Sequence, residues 1–292
     1  MEGRSGFVSV VGRPNVGKST LVNALVGQKV AITSPRPQTT RNAIRAVLTT
    51  EGAQLVFVDT PGLHKPRNAL GERLNRLVYG SLAEADAALF VIDATQEIGP
   101  GDRLIAQRLG EAASPVLVAV NKVDAASRQQ LVEQLAEAGE WQFAAYAPVS
   151  ALRAEGLAPI VTELVAMMPR GPFFFPTDTV TDQPDALLAA ELIREKYLAR
   201  LREELPHSLA VVVDDVETRE NGLVYVAATV YVERDSQKGM VIGKDGSLIA
   251  AVGAEARREL EAFFAARVYV DIRVKVEKDW QRRDQLLDRL GF

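Results

Sequence analysis

Lys18 and Ser19 close an eight-residue run, Gly12, Arg13, Pro14, Asn15, Val16, Gly17, Lys18, Ser19, in which glycines flank four residues and a lysine and a hydroxyl follow. Residue types at this spacing hold phosphate. The glycines let backbone N–H groups converge on a β-phosphate, and a helix starting at the lysine turns its positive end toward the same oxygens. Lys18 brings a point charge to the β- and γ-phosphates, and the Ser19 hydroxyl is a Mg²⁺ ligand. Asp59, Thr60, Pro61 and Gly62, with Leu63 behind them, end the apolar run 55–58. A carboxylate at a strand tip holds Mg²⁺ through water, and the Gly62 N–H is offered to a γ-phosphate. Alone this is a turn sequence; behind a phosphate loop it belongs to the site. Asn121, Lys122, Val123 and Asp124 follow the apolar run 116–120. Asp124 accepts from the ring N–H and the exocyclic amino group of guanine, a donor pair that adenine lacks. A site built on such a carboxylate rejects the wrong base by about 10⁴ to 10⁵. Lys122 is expected over the base, with Asn121 bracing the phosphate loop. The order and intervals are those of a guanine-nucleotide pocket.

These groups need strand ends to carry them, and the first 170 residues alternate apolar runs with amphipathic stretches in β/α fashion. Strands are predicted over 6–11, 43–50, 54–58, 87–92, 116–120 and 144–149, and helices over 18–27, 69–83, 101–111, 127–138 and 155–167. Thr20 falls in the first turn of the helix behind the phosphate loop. The runs 87–92 and 116–120 are apolar throughout, as in strands covered by helices on both faces. The expected class is α/β: a phosphate-loop NTPase domain with a mostly parallel sheet. Residues 171–184, with three prolines and a glycine, break both periodicities and read as a connector. Domains are expected at 1–171 and 185–292, with 172–184 as linker.

The second half predicts a helix over 185–204, strands over 208–214 and 223–234, a short turn, a helix over 247–264 and a strand over 268–276. Gly243, Lys244, Asp245 and Gly246 form a Gly-x-x-Gly loop before the later helix, an order that matches a smaller α+β KH module. Two glycines let such a loop press on a nucleic-acid backbone, and Lys244 supplies charge. Gln237, Lys238, Arg257 and Arg258 are further candidate contacts, with Lys275, Lys278 and Arg282 behind them. Ile242, Leu248 and Ile249 are candidates for an apolar groove. Residues 173–292 hold 17 Lys and Arg against 22 Asp and Glu, whereas 236–283 hold 10 against 7. One basic face within an acidic module fits single-stranded RNA better than bulk coating of a duplex.

With 292 residues, 47 % hydrophobic and 25 % charged, the chain is long and apolar enough for two cores, which argues against disorder. It has no cysteine and only 2 histidines, so disulfides, thiolate metal sites and cysteine nucleophiles are excluded and the cytosol fits. No apolar run reaches the ~18 residues of a spanning helix.

With the Gln38-Thr39-Thr40-Arg41 stretch between the first two motifs, the chain resembles the Era-like GTPases over nearly its whole length. The resemblance implies that Thr40 binds Mg²⁺ and γ-phosphate, with Thr39 its competitor, and that Lys18, Thr40 and Gly62 form the catalytic set. Mg²⁺ would then sit on Ser19, Thr40 and Asp59. Ser150, Ala151 and Leu152 resemble the fifth motif, whose backbone meets the guanine oxygen. Ras-like enzymes orient the attacking water with a glutamine where this chain has Leu63, so intrinsic turnover is expected to be slow; His64 is an alternative orienting group. Asn15 matches an asparagine that holds K⁺ in related GTPases. The resemblance further implies GTP and GDP as ligands, and a prokaryotic-type KH domain on the 3′ end of small-subunit ribosomal RNA. It implies ribosome assembly in the cytoplasm as a monomer, with a peripheral fraction at the inner face of the cell membrane. The competing reading is an RNA-binding structural protein with a nearly inactive nucleotide site.

Overall fold

A computed structural model describes residues 3–36, 39–66, 68–203 and 205–292. The chain forms two compact units, one of Met1–Arg67 with Gly71–Asp182 and one of Asn68–Leu70 with Gln183–Phe292. In the first half the elements are β1 (Gly3–Val11), α1 (Lys18–Val26), β2 (Ile44–Thr50), β3 (Ala53–Asp59), α2 (Ala69–Glu84), β4 (Ala87–Asp93), α3 (Pro100–Gly110), β5 (Val116–Asn121), α4 (Arg128–Gly139), β6 (Ala145–Val149), α5 (Leu157–Met167) and β7 (Arg170–Gly171). The sheet order is β2-β3-β1-β4-β5-β6, with β7 on β1. β2 and β7 run antiparallel to their neighbours and the other pairings are parallel.

The uniformly apolar strands separate two cores, because successive side chains point to opposite faces. Along β4, Leu89 and Val91 enter one core while Ala88, Phe90 and Ile92 enter the other. β5 divides the same way, Leu117 and Ala119 against Val116, Val118 and Val120. Register then brings the functional positions to one edge. Asp59 pairs with Val10, Val11 with Phe90, Asp93 with Asn121, and Asn121 with Val149. The carboxyl ends of parallel strands are where α/β sheets bind ligands.

Residues 172–182, expected to be a connector, run along β2 and β3. Gln54 Oε1 accepts from the N–H groups of Phe174 at 2.8 Å and Phe175 at 3.0 Å. Val47 N–H donates to Val180 O at 2.8 Å, and Arg45 pairs with Asp182 at 2.6 Å. Proline and glycine content marks irregular backbone, but a buried glutamine, a backbone bond and an ion pair fasten it.

The second unit contains α6 (Asp185–Arg200), β8 (Ala210–Thr218), β9 (Val224–Val232), α7 (Asp235–Ile242), α8 (Ser247–Phe264), β10 (Val268–Val276) and α9 (Asp284–Arg289). Its sheet order is β10-β9-β8, β9 parallel to β10 and antiparallel to β8, with a bulge between Val213 and Asp215. Two elements depart from expectation. The helix predicted to reach 204 ends at Arg200, where Leu201 turns extended. Residues 235–242, read as turn, are helical. Their sequence has no helical stripe, and tertiary contacts hold them: Gln237 caps the helix and Val241 is fully buried.

Phe90 is completely buried and its ring stacks on Trp141 at 5.5 Å. Phe90→Ala is expected to destabilise the first unit by about 3–5 kcal/mol. Urea unfolding in a Trp280→Phe background, where Trp141 alone reports, measures this; an unmoved midpoint contradicts the two-core packing.

Candidate functional site

The phosphate loop is shaped by left-handed residues, Asn15 at φ 66° and Gly17 at φ 97°. A Cβ on Gly17 would lie 2.3 Å from Asn121 Nδ2, so glycine is required by backbone angle and by space. Gly62 faces a similar limit, since a Cβ there would lie 2.7 Å from Pro14 N. This close approach holds the 59–62 turn against the loop, helped by Leu63 N–H to Gly12 O at 3.3 Å.

Lys18 Nζ donates to the carbonyls of Gly12 at 3.2 Å and Arg13 at 3.1 Å. Burial lowers its pKa to about 8, with the Asp59 charge partly opposing the shift. Ser19 Oγ donates to Asp59 Oδ2 at 2.6 Å and lies 2.9 Å from Thr40 Oγ1, which is 3.4 Å from the same carboxylate oxygen. One carboxylate and two hydroxyls converging this closely are hard oxygen donors, a set that fits Mg²⁺. Such an ion, when bound, screens phosphate charge. Thr39 Oγ1 turns instead to Arg36 O at 2.7 Å. Gln38 lies outside the described residues.

Asn121 ties the base side to the phosphate side. Its Nδ2 donates to Val16 O at 2.8 Å and its Oδ1 accepts from Ala151 N–H at 3.0 Å. Lys122 Nζ donates to Asn15 O at 2.8 Å and to Asp93 Oδ2 at 2.6 Å. Asp124 Oδ1 accepts from the buried Ser150 hydroxyl at 2.6 Å, which aims the carboxylate. Ser150 therefore acts through its side chain, a role beyond the backbone contact expected of it. A cleft is lined by Pro14, Asn15, Gly17, Lys18, Ser19, Thr20, Thr40 and Gly62, together with Ile32, Thr33, Ser34 and Thr39.

Other expected site residues serve from behind. Val16 is 2 % exposed and belongs to the core. Arg13 pairs with the buried Asp102 of α3 at 2.8 Å, and Thr60 Oγ1 donates to Val10 O at 2.7 Å. Pro61 is buried, Val123 and Leu63 pack partly buried against the second core, and the Leu152 side chain is 79 % exposed. His64 Nδ1 sits 3.2 Å from Gly62 O.

Sequence reasoning missed three residues. Asp93 takes Lys122 on one oxygen and the N–H and hydroxyl of Thr95 on the other. Its signal was available: it ends an apolar strand just as Asp59 does. Asn23 Oδ1 accepts from the N–H groups of Val30 and Ala31, both at 2.9 Å, seating the chain that leads to Ile32–Ser34. Asp102 left no signal, because its partner Arg13 lies 89 residues away.

In the second unit, Gly243, Lys244, Asp245 and Gly246 join α7 to α8, with Lys244 and Asp245 exposed. Beside them a groove of about 340 Å³ lies between α8 and β10, lined by Ile249, Ala250, Gly253, Ala254, Arg257, Tyr269, Val270 and Ile272. Small residues leave the room, and Arg257 brings a cation. Lys238 and Arg258 are exposed, while Lys275, Lys278 and Arg282 are exposed and line no part of this groove. Ile242 and Leu248 pack against the core. Gln237, a candidate contact, caps α7: its Oε1 accepts from Glu233 and Arg234 N–H at 2.9 and 3.1 Å, and its Nε2 donates to Ser208 Oγ at 3.0 Å.

A guanine-nucleotide pocket on a mostly parallel sheet, followed by an α+β unit with a Gly-x-x-Gly loop, defines a GTPase carrying a KH domain. Residues 7–122 match the family of 50S ribosome-binding GTPases, and residues 204–281 match the KH domain family. The chain is 50 % identical over 298 residues to GTPase Era of Mycobacterium tuberculosis, covering 100 % of this chain and 99 % of the relative. It is 45 % identical over 296 residues to GTPase Era of Carboxydothermus hydrogenoformans, again covering 100 % and 99 %. Among solved structures, Era in complex with MgGDPNP and nucleotides 1506–1542 of 16S ribosomal RNA aligns with a TM-score of 0.95 at 36 % identity over 99 % of both chains. An Aquifex aeolicus Era variant bound to GDP·AlF₄⁻ aligns with the same score, identity and coverage. The chain belongs to the Era family of GTPases. Its ligands are GTP and GDP with Mg²⁺.

Burial of Lys18 sets a pH dependence. With a pKa of about 8 in the free protein against the ordinary 10.5, the lysine is partly neutral above pH 8, and a polyphosphate must draw a proton onto it. GDP affinity is expected to fall by up to ~tenfold per pH unit above about pH 8. The same shift makes the free protein gain stability across about pH 8 to 10.5, where the unfolded chain holds the extra proton. Calorimetric titrations from pH 7 to 10 check the affinity, and Lys18→Ala should flatten the profile. A flat wild-type profile contradicts the assignment.

Proposed function

We propose that this protein hydrolyses GTP to GDP and phosphate as a ribosome assembly factor. Its KH domain engages the 3′ end of small-subunit ribosomal RNA, and nucleotide state governs that engagement. The observation that carries the reading is the convergence of Ser19, Thr40 and Asp59 in a chain that also has the α8–β10 groove. Thr40 and Gly62 belong to the segments 30–42 and 59–80, whose order is expected to depend on the γ-phosphate. A ligand shifts such an equilibrium only by its differential affinity for the two states, and the γ-phosphate supplies that difference.

Leu63 offers no hydrogen bond to water, so the attacking water is oriented by other groups and turnover is slow without help. Asn15, at the mouth of the cleft with its backbone fixed by Lys122, is the candidate for a K⁺ that would act there as a compensating charge. We place the work in the cytoplasm, on the small ribosomal subunit, with the protein as a monomer. A peripheral fraction at the inner face of the membrane is the family-based extension of this reading. A nearly inactive, purely structural RNA-binding protein is disfavoured by the complete donor set around Asp59.

Single-turnover GTP hydrolysis with and without an RNA of the small-subunit 3′ end tests the proposal: acceleration supports it, and equal rates separate the two functions. In the same assay, K⁺ is expected to outpace Na⁺ at equal ionic strength, while equal rates remove Asn15 from catalysis. Lys244→Ala should weaken RNA binding uniformly across sequences and lower the salt slope by about one. An unchanged slope takes Lys244 out of the interface.

A further inference from the structure

Tyr225 and Tyr269 are partners in the parallel β9–β10 pairing, and their rings lie 5.8 Å apart and 10° from parallel. The Arg219 guanidinium sits 4.5 Å from the Tyr225 ring centroid. The Tyr225 hydroxyl donates to Asp271 Oδ2 at 3.0 Å, and Arg273 donates to the same oxygen at 3.1 Å. The stack is thus fixed by a carboxylate at its base. Tyr269 is its open member, on an edge strand, 55 % exposed. A ring so exposed contributes little to a core. It is also among the residues lining the α8–β10 groove with Arg257, at the β10 edge, although strand alternation turns its ring to the sheet face away from the core-packed Val270 and Ile272. Since α8 starts at Ser247, beside the glycine loop, Arg257 stands about 15 Å along the helix, in the half of the groove away from that loop.

We propose that Tyr269, backed by Tyr225 and Arg219, is a stacking platform for one unpaired base of the RNA that threads this groove. The inference rests on the reading of the groove as an RNA site and extends it to a second kind of contact. The loop around Lys244 meets the backbone by charge, whereas Tyr269 meets a base by its π-face. Continuity with the groove and the cations Arg219, Arg257 and Arg273 favour an anionic single strand over a protein. A preformed aromatic surface also loses little rotamer freedom on binding. Every base presents a π-face, so the platform adds affinity without demanding a sequence.

The test uses the full-length protein and single-stranded RNAs of one length carrying 2-aminopurine at successive positions. With wild type, one position is quenched on binding. Tyr269→Ala is expected to abolish that quench and weaken binding roughly 5- to 150-fold with the salt slope unchanged. Tyr269→Phe should keep both quench and affinity, which separates stacking from misfolding. If Tyr269→Ala binds within twofold of wild type or the quench survives, the proposal is overturned. If wild type binds none of the RNAs while still binding GDP, the RNA reading of the groove falls, and this inference with it.

Discussion

One carboxamide holds the nucleotide site together. Asn121, 2 % exposed at the end of β5, donates to the phosphate loop and accepts from the Ala151 backbone, so loops from three strands share one side chain. A buried amide left with an unpaired end costs about 1–3 kcal/mol, so the three loops cannot part independently. The packing agrees with this constraint, because the Gly17 backbone approaches Asn121 so closely that no Cβ fits between them. Lys122 and Asp93 repeat the arrangement one residue on, joining Asn15 of the phosphate loop to the tip of β4. The Asp124 carboxylate is positioned through the same strands, by way of Ser150.

The phosphate side is organised by a second buried group. Asp59 is fully buried, yet its Oδ2 meets hydroxyls from α1 and from the segment ahead of β2. The two hydroxyls satisfy this buried carboxylate oxygen, and a divalent cation bound there would add to them, in a site that also confines Lys18. Gly62, pressed on Pro14, follows Asp59 by three residues. Thr40 and Gly62 are thus tied to Asp59 and to the phosphate loop through short connections.

Much of this was legible in the sequence, for a physical reason. Phosphate and guanine recognition uses contiguous residues at the ends of strongly apolar strands, so motif and periodicity point to the same positions. Lys18, Ser19, Asp59, Asn121 and Asp124 were readable on that basis, as was the placement of Gly243–Gly246 between elements. What stayed hidden depends on pairing between distant segments. Arg13 with Asp102, Gln54 with Phe174 and Phe175, and Gln237 with Ser208 have no local signature. The helix 235–242 forms because its ends are capped and Val241 is buried, not because its residues favour it. The Tyr225–Tyr269 stack exists only once the β9–β10 register is known.

These features converge on one claim, that a buried network fixes Asp124 to read guanine while Lys18 and the Asp59 cluster read phosphate. Competitive calorimetry of GDP against ADP on the full-length protein, with Mg²⁺ present, addresses it most directly. The account predicts discrimination of at least about 10⁴ in favour of GDP. Comparable affinities for the two nucleotides would contradict it.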